Sequence, residues 1–431
     1  MIKKAHLKHE TIITYQVLIK QRDIMGFKQL KISDWKQFES VNIEFHDRLT
    51  VLTGANGSGK TTILHMLASN LGWNFYEMAT PQKDEESGII KFISSLFRRR
   101  VEENKPANIG ELTFSNGSVS KINVPIDATS ARYNIHFSEQ LIIPGINILS
   151  HRSIFKYQSV PTISTQKISR KQAYDRVTHL VRQESLEENP YLQKTVNYHI
   201  KETLLSWAIG GTGNKYIEAD AEAQAWFDGF EKVLKIILPK HIGFEKLAIR
   251  NFEIVFCTRT GDFMLDAVSG GIAALIDLSW QIYNFASTNP NIVVLIDEVE
   301  NHLHANMQRS VLPDFLNAFP KVQFIVSTHS PLIVASVKDS NIYAFRYNDE
   351  NRVYSERLDM LNKARNANEI LNEVLGVPFT MPIWAEDALN RIVAKYASLE
   401  ITEDSVNNMR AEFKAEGLET LMPLAITKVL R

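Results

Sequence analysis

Hydrophobic and polar residues alternate along residues 27–52, and this alternation predicts strands with one buried face. The apolar positions are Leu30, Ile32, Phe38, Val41, Ile43 and Phe45. Residues 48–53 then predict a buried strand that leads into a glycine-rich turn. Residues 61–71, directly after that turn, have a helical pattern. Residues 1–22 are polar and partly basic, without a clear element.

The next part of the chain contains turn signals. Polar residues 81–86 predict a loop, and residues 112–124 predict a hairpin with Asn116-Gly117 at its centre. An Asn-Gly pair suits a type I′ turn, because both residues tolerate the positive φ angles that this turn requires.

Helices are predicted to dominate the middle of the chain. A short apolar run at 146–150 predicts a strand, and residues 170–237 have a mostly helical pattern. The sequence Gly210-Gly211-Thr212-Gly213 interrupts this pattern and predicts a flexible turn. Sustained heptads are missing, so a long coiled-coil arm is not expected.

Alternation of strands and helices returns after residue 252. Two continuous apolar runs, 292–296 and 322–326, bracket a helical segment at 305–318. Strands that are apolar throughout are buried on both faces, which favours parallel pairing. Residues 358–431 have the pattern of helices.

These patterns divide the chain into five segments. They are an N-terminal extension at 1–22, the first half of an α/β core at 23–150, a mainly helical insertion at 151–250, the second half of the core at 251–350, and a helical C-terminal region at 351–431.

Composition narrows the function classes only a little. The 431 residues carry a formal net charge of -1, so no global basic excess indicates nucleic-acid or membrane binding. The one cysteine, Cys257, excludes a disulfide framework within the chain and is expected in the core. Neither a long apolar run nor a secretory signal is present, and we expect a cytoplasmic protein without a membrane partner.

The strongest chemical signal is the stretch from Gly54 to Thr61, which matches G-x-x-x-x-G-K-[ST] in full. Glycines let backbone N–H groups turn inward around phosphate oxygens, and the helix that follows adds its positive end. Lys60 supplies a charge to the β- and γ-phosphates, and the Thr61 hydroxyl suits Mg²⁺. The predicted nucleotide-binding residues of this loop are Gly54, Asn56, Gly57, Ser58, Gly59, Lys60, Thr61 and Thr62.

Two further signals follow apolar strands. The run 292–296 ends in Asp297, predicted to hold Mg²⁺ together with Thr61, and Glu298, predicted to act as general base. Two acids after a strand are common at ordinary loop starts, and only the phosphate loop upstream favours the catalytic interpretation. His329 follows the run 322–326 and is predicted to sense the γ-phosphate or position the attacking water.

A second anion-binding turn is predicted at Ser269-Gly270-Gly271, which opens a helical stretch. One chain already cradles phosphates at residues 54–61. A second turn of this kind makes most sense if it closes on a nucleotide held by another copy of the chain.

These four motifs, in this order, resemble the ABC-class ATPases, in the branch of the SMC, RecF and OLD-type proteins. The resemblance implies an α/β fold, an ABC-type P-loop NTPase core with a mixed sheet and flanking helices. It also implies that Gly54–Thr61 is the Walker A loop and that Ser269-Gly270-Gly271 is the signature motif. Asp297 and Glu298 would end the Walker B strand, and His329 would be the switch histidine.

The resemblance also covers residues 300–304, Glu-Asn-His-Leu-His, which look like the D-loop of OLD-type proteins. His302 and His304 would then lie at a dimer interface, although their composition alone could suggest a metal site.

Two family features have no clear counterpart in the sequence. The Q-loop glutamine is missing, and either His151 or Gln158 could stand in its place. Trp35 and Phe38 are candidates for stacking on adenine, but either could instead be a core residue.

The overall arrangement is similar to ATPases of bacterial anti-phage systems such as Septu, PARIS and retrons. It implies ATP and Mg²⁺ as cofactors, a homodimer or higher oligomer, and a separate effector protein, a nuclease or toxin. The alternatives are a RecF- or SMC-like DNA-binding ATPase in repair and an OLD-like ATPase-nuclease. Nucleic acid would then contact the basic stretch Phe97–Arg100, near Lys91 and Lys105.

Overall fold

The computed structural model of the chain forms two compact units, Met1–Arg365 and Asn366–Arg431. The residues that it describes are 26–83, 90–94, 106–125, 127–128, 130–184, 194–287, 289–359, 370, 382–397 and 402–429. The basic stretch Phe97–Arg100 and the extension 1–22 lie outside these residues.

The first unit contains all the described strands. They are β1 Phe27–Trp35, β2 Phe38–Glu44, β3 Leu49–Gly54, β4 Glu77–Met78, β5 Thr80–Lys83, β6 Ile90–Ile93, β7 Ala107–Phe114, β8 Val119–Val124, β9 Asp127–Ala128, β10 Arg132–Tyr133, β11 His136–Ser138, β12 Gly145–Ile148, β13 Phe244–Arg250, β14 Glu253–Thr258, β15 Phe263–Met264, β16 Val293–Ile296, β17 Gln323–Thr328, β18 Asn341–Tyr347 and β19 Val353–Arg357.

Among the described residues, seven α-helices accompany these strands in the first unit and three lie in the second unit. They are α1 Lys60–Ala68, α2 Arg170–Glu184, α3 Val196–Thr212, α4 Ala221–Ile237, α5 Gly270–Phe285, α6 Ala305–Ala318 and α7 Pro331–Val334, then α8 Ile383–Ala397, α9 Glu403–Ala415 and α10 Met422–Val429.

Eleven strands form one mixed sheet in the order β11-β8-β7-β1-β2-β19-β18-β3-β17-β16-β12. From β18 to β12 each neighbouring pair is parallel, as the apolar runs predict. Every residue of β3, β16 and β17 is buried, because helices cover such strands on both faces. The predicted α/β fold, a mixed sheet with flanking helices, is confirmed.

Parallel strands point their carboxyl ends toward the same edge of a sheet, and ligands bind at that edge in open α/β folds. In this chain the phosphate loop follows β3, the two acids follow β16 and His329 follows β17. The order β3-β17-β16 therefore places the three predicted motifs side by side.

The antiparallel half of the sheet includes the predicted hairpin, formed by β7 and β8. The type I′ turn is wrong, because Gly117 has a positive φ of 83° whereas Asn116 does not. The amide of Gly117 donates to the carbonyl of Phe114, so the chain reverses over four residues, with glycine in the left-handed position. The loop predicted at 81–86 is also wrong in part, since Thr80–Lys83 forms β5 and pairs with β6.

The insertion forms α2, α3 and α4, as its pattern predicts, and they pack with α5 around fully buried Trp207, Phe230 and Trp280. The flexible turn at 210–213 is wrong, because α3 continues to Thr212. A Cβ on Gly211 would lie 2.8 Å from the backbone nitrogen of Gln224. Glycine is needed there for close packing between α3 and α4.

Two smaller expectations, on Cys257 and on residues 351–431, have clear outcomes. Cys257 is buried in the hairpin of β13 and β14, so its predicted core position is confirmed. The strand β19 lies within the region predicted to be helical, 351–431, because Val353 and its neighbours complete the mixed sheet beside β2 and β18. Within the described residues, no helix is long and apolar enough to cross a membrane.

The second unit is helical in its described residues, as predicted for the tail. Its helices α8, α9 and α10 bury a small core of their own, which includes Leu389, Phe413 and Ala425. The division of the chain into five segments is not decided by these observations and stays a prediction.

Candidate functional site

The phosphate loop between β3 and α1 depends on three glycines with positive φ angles. They are 142° at Gly54, 78° at Gly57 and 94° at Gly59. A Cβ on Gly59 would lie 2.3 Å from the ring of Phe38, so any other residue would collide with the core as well as strain the backbone. Of the other predicted loop residues, Asn56 is exposed, Ser58 is buried and Thr62 is half-buried.

Lys60 begins α1 and turns its side chain back into the loop. Its Nζ donates to the carbonyls of Gly54 and Ala55, both at 3.0 Å, and the residue is only 5% exposed. Burial lowers the pKa of Lys60 to about 8, although the nearby acids Asp297, Glu298 and Glu300 oppose the shift. A buried ammonium group with only carbonyl partners is well suited to bind an anion.

Asp297 joins the first and second motifs, which are 236 residues apart in sequence. The hydroxyl of Thr61 donates to Asp297 Oδ2 at 2.9 Å. The hydroxyl of Ser327 donates to Asp297 Oδ1 at 2.5 Å from the next strand. A hydroxyl and a carboxylate are oxygen donors of the kind that Mg²⁺ prefers, so Thr61 and Asp297 fit this ion.

Glu298 has a backbone φ of 46°, which is unusual for a residue other than glycine. Its amide donates to Ser327 Oγ at 2.8 Å, and its Oε2 accepts from Asn301 Nδ2 at 2.8 Å. These contacts hold a half-exposed carboxylate at the edge of the sheet, beside Asp297.

His329 lies beside Glu298, with 3.9 Å between His329 Nε2 and Glu298 Oε1. Burial, and then the charge of Lys60, lower the pKa of His329, so its neutral form is favoured. The carboxylate of Glu300 fixes this segment by accepting from the Thr328 hydroxyl at 2.8 Å and the His329 amide at 2.5 Å.

The sequence prediction therefore missed three side chains that hold the site together, Ser327, Asn301 and Glu300. A signal for Ser327 was available, because it lies two residues before His329, near the end of β17, and β17 pairs with the strand that leads into Asp297. The roles of Asn301 and Glu300 depend on the turn after β16, which carries no periodic pattern.

The second anion-binding turn opens α5. Ser269 is exposed and its side chain does not cap the helix, so the first amides of α5 have no serine hydroxyl as partner. Gly270 has open space around its Cα, whereas a Cβ on Gly271 would lie 2.9 Å from the carbonyl of His302. The turn therefore packs directly on the segment that follows the acids.

Buried charges fix the approach to this turn. Lys201 of α3 is fully buried and its Nζ lies 2.6 Å from Asp266 Oδ2, three residues before Ser269. The Asn197 side chain also donates to Asp266. The insertion thus holds the residues that lead into the turn.

The two histidines of the 300–304 segment have separate structural positions. His302 has a positive φ of 67°, and His304 precedes α6, where its Nδ1 accepts from the Asn306 amide at 3.5 Å. Within the described part of the chain, no group of three His, Cys, Asp or Glu side chains could hold a metal ion.

The two open family features are partly decided. Trp35 and Phe38 are both fully buried, so they are core residues and the stacking alternative is wrong. His151 is exposed, and Gln158 Oε1 accepts from the backbone and hydroxyl of Thr195, at the start of α3. Gln158 therefore helps to anchor the insertion.

The chain is similar to a known protein family and to several known proteins. The sequence model of the family described as "AAA domain, putative AbiEii toxin, Type IV TA system" matches residues 49–335. That range contains every motif of the site.

Curated relatives match along most of the chain at low identity. "Septu protein PtuA" of Bacillus mycoides (strain KBAB4) is 23% identical over 410 residues, which are 91% of this chain and 49% of that protein. "Septu protein PtuA" of Bacillus thuringiensis is 22% identical, over 84% of this chain and 87% of that protein. The chain thus spans about half of the first relative and most of the second.

A third relative matches only locally. "Retron Vc95 probable ATPase" of Vibrio cholerae serotype O1 biovar El Tor is 46% identical over 50 residues, 12% of this chain and 10% of that protein. Among solved structures, an SMC head bound to the C-winged helix domain of ScpA has a TM-score of 0.41 and 17% identity, over 78% of this chain and 98% of that chain. The predicted resemblance to Septu and retron proteins is confirmed.

The lowered pKa of Lys60 generates a pH prediction. Below about pH 8 the Lys60 ammonium is charged, and the affinity for a non-hydrolysable ATP analogue should not change with pH through this group. Above its pKa a growing fraction is neutral, so binding must take up a proton and affinity should fall by up to about tenfold per pH unit. Titration calorimetry between pH 7 and 9.5 measures this.

Lys60→Arg is the control, because its guanidinium stays protonated throughout this range and its affinity should therefore be flat. A wild-type affinity that is constant up to pH 9.5 would show that the Lys60 pKa is not lowered.

Proposed function

The chain belongs to the AAA-domain family whose model matches residues 49–335, and we propose that it binds ATP with Mg²⁺ and hydrolyses it between two copies of the chain. The main support is the hydrogen bond between Thr61 and Asp297, 2.9 Å long. It joins the phosphate loop to the acids that follow β16 through protein atoms alone. The triphosphate and its Mg²⁺ would bind between this loop and these acids.

Each residue of the site has a proposed role. The loop amides and Lys60 bind the β- and γ-phosphates, and Thr61 and Asp297 hold the metal. Bound Mg²⁺ neutralises negative charge on the phosphates. Glu298 accepts a proton from the attacking water, and neutral His329, 3.9 Å from that carboxylate, contacts the γ-phosphate.

A second copy of the chain is proposed to complete the site. Ser269 and Gly270 are exposed at the start of α5, with helix amides that the serine hydroxyl does not cap. The positive end of a 16-residue helix favours an anion there. In the proposed dimer this turn closes on the triphosphate bound to Lys60 of the other copy.

The biological role that we propose is regulation of a separate effector, a nuclease or toxin, in cytoplasmic defence against phages. Its support is the similarity to proteins named as Septu and retron components. ATP binding and hydrolysis would then switch the dimer between two states that the effector distinguishes.

The first test uses two variants of the site. Lys60→Ala should lose ATP binding, because the loop loses its cation. Glu298→Gln should bind ATP but hydrolyse it about 10²- to 10⁴-fold more slowly, because an amide cannot accept the proton from water. Single-turnover hydrolysis and light scattering should show an ATP-stabilised dimer of Glu298→Gln. Normal turnover by Glu298→Gln would rule out Glu298 as the base.

The second test asks whether the site is shared between copies. Ser269→Glu should be inactive, because its carboxylate repels the triphosphate of the other copy, while the same charge is compatible with a helix N-terminus. Mixing Lys60→Ala with Ser269→Glu should restore up to about a quarter of wild-type activity, since half of random dimers are mixed and each has one intact site.

The mixing experiment tests whether Lys60 of one copy and Ser269 of the other copy belong to the same site. If Ser269→Glu alone is as active as wild type, or if mixing restores nothing although mixed dimers form, the shared site is wrong. Tagged copies separated by two affinity steps provide the mixed dimer directly.

The effector is tested by co-purification with the products of neighbouring genes. We expect a stable complex whose amount changes between Glu298→Gln with ATP and Lys60→Ala. A chain that elutes alone in every nucleotide state would contradict the effector role, while leaving the ATPase itself intact.

A further inference from the structure

Arg152 follows β12 and lies beside the end of β16, and the residue is buried, with 7% of its surface exposed. Its Nη2 donates to the carbonyl of Asp297 at 3.0 Å and lies 3.5 Å from the carbonyl of Glu298. Its Nε and Nη1 have no hydrogen-bond partner among the described residues. A buried cation with so few direct partners costs free energy, so its close contact with the Asp297 carbonyl requires an explanation.

That contact completes a clamp on a single peptide group. The peptide between Asp297 and Glu298 has its carbonyl held by Arg152 and its amide held by Ser327 Oγ at 2.8 Å. A peptide is planar, so fixing both of its polar ends fixes the orientation of the whole unit. The metal-binding side chain leaves one end of this unit, and the base leaves the other.

The clamp matters because the next torsion is strained. The φ of Glu298 is 46°, a left-handed value that is strained for a residue with a Cβ. Such a conformation persists only where its surroundings over-determine it. Beyond this torsion, Asn301 holds the Glu298 carboxylate at 2.8 Å. Without the Arg152 contact, the hydrogen bond from the Glu298 amide to Ser327 still holds one end of this peptide, but its carbonyl end can tilt and relax the torsion.

We propose that Arg152 is a positioning residue for hydrolysis, which keeps the Glu298 carboxylate aimed at the attacking water by holding the 297–298 peptide. This inference rests on the proposed function, because it assumes that Glu298 is the base. Arg152 contacts a backbone carbonyl and acts on the reaction through Glu298.

The test is a double-mutant cycle between Arg152→Met and Glu298→Gln. Arg152→Met should slow single-turnover hydrolysis by about 10- to 100-fold, because a base displaced by an ångström loses a factor of this order. Affinity for a non-hydrolysable ATP analogue should change by less than about threefold, since the Lys60 contacts remain. In the Glu298→Gln background, Arg152→Met should cause almost no further loss.

The non-additive result separates positioning from a merely structural role. If Arg152 only stabilises the fold, its loss should slow hydrolysis by the same factor in both backgrounds. That outcome, or a wild-type rate for Arg152→Met, would overturn the inference. Should Arg152→Met not fold, the same cycle with Arg152→Lys, which keeps the charge and one donor, decides between the two results.

Arg48 provides a matched control. Its guanidinium also donates to backbone carbonyls, including Leu316 at 2.7 Å, but it lies before β3, at the opposite end of that strand from the phosphate loop. Arg48→Met should lower the melting temperature without changing the hydrolysis rate of the folded protein. If the wild-type protein itself neither binds nor hydrolyses ATP, the proposed function fails. If it does both and the cycle is additive, only the role of Arg152 fails.

Discussion

Parallel pairing of β3, β17 and β16 is the constraint on which the candidate site depends. The register sets Thr328 of β17 beside Thr53 of β3, and Val326 beside Ile296 of β16. The three strands therefore end within a few residues of one another at the same edge of the sheet, and the loops that follow them lie close together. Residues 61 and 297, far apart in the chain, are then within one hydrogen bond of each other.

The polar groups at this edge are partly removed from water, and they form hydrogen bonds with one another instead. Ser327 makes two of these hydrogen bonds with one hydroxyl, which donates to the Asp297 carboxylate and accepts from the Glu298 amide. The charged side chains of Lys60 and Arg152 both turn to backbone carbonyls. Carbonyls satisfy a cation without neutralising it, so the positive charge remains effective toward an incoming anion.

The sequence allowed the sheet core and the main motifs to be predicted, because continuous apolar runs and the glycine-lysine signature reflect burial and phosphate geometry directly. It did not predict what depends on distant packing. Gly211 belongs to a glycine-rich stretch that is typical of a turn, but it lies inside α3, where Gln224 leaves no room for a Cβ. Trp35 could have been a binding or a core residue by pattern alone, and only its zero exposure decides. The contact of Arg152 required β12 to lie beside β16.

The close packing of Gly271 on the carbonyl of His302 has a mechanical consequence. With no side chain between them, the start of α5 and the 300–304 segment lack a compressible layer, and close-packed interiors transmit strain. A displacement of the exposed helix end would therefore act directly on the turn that contains Asn301, whose side chain holds the Glu298 carboxylate. The exposed start of α5 and the Glu298 carboxylate are thus connected through a short, closely packed segment of backbone.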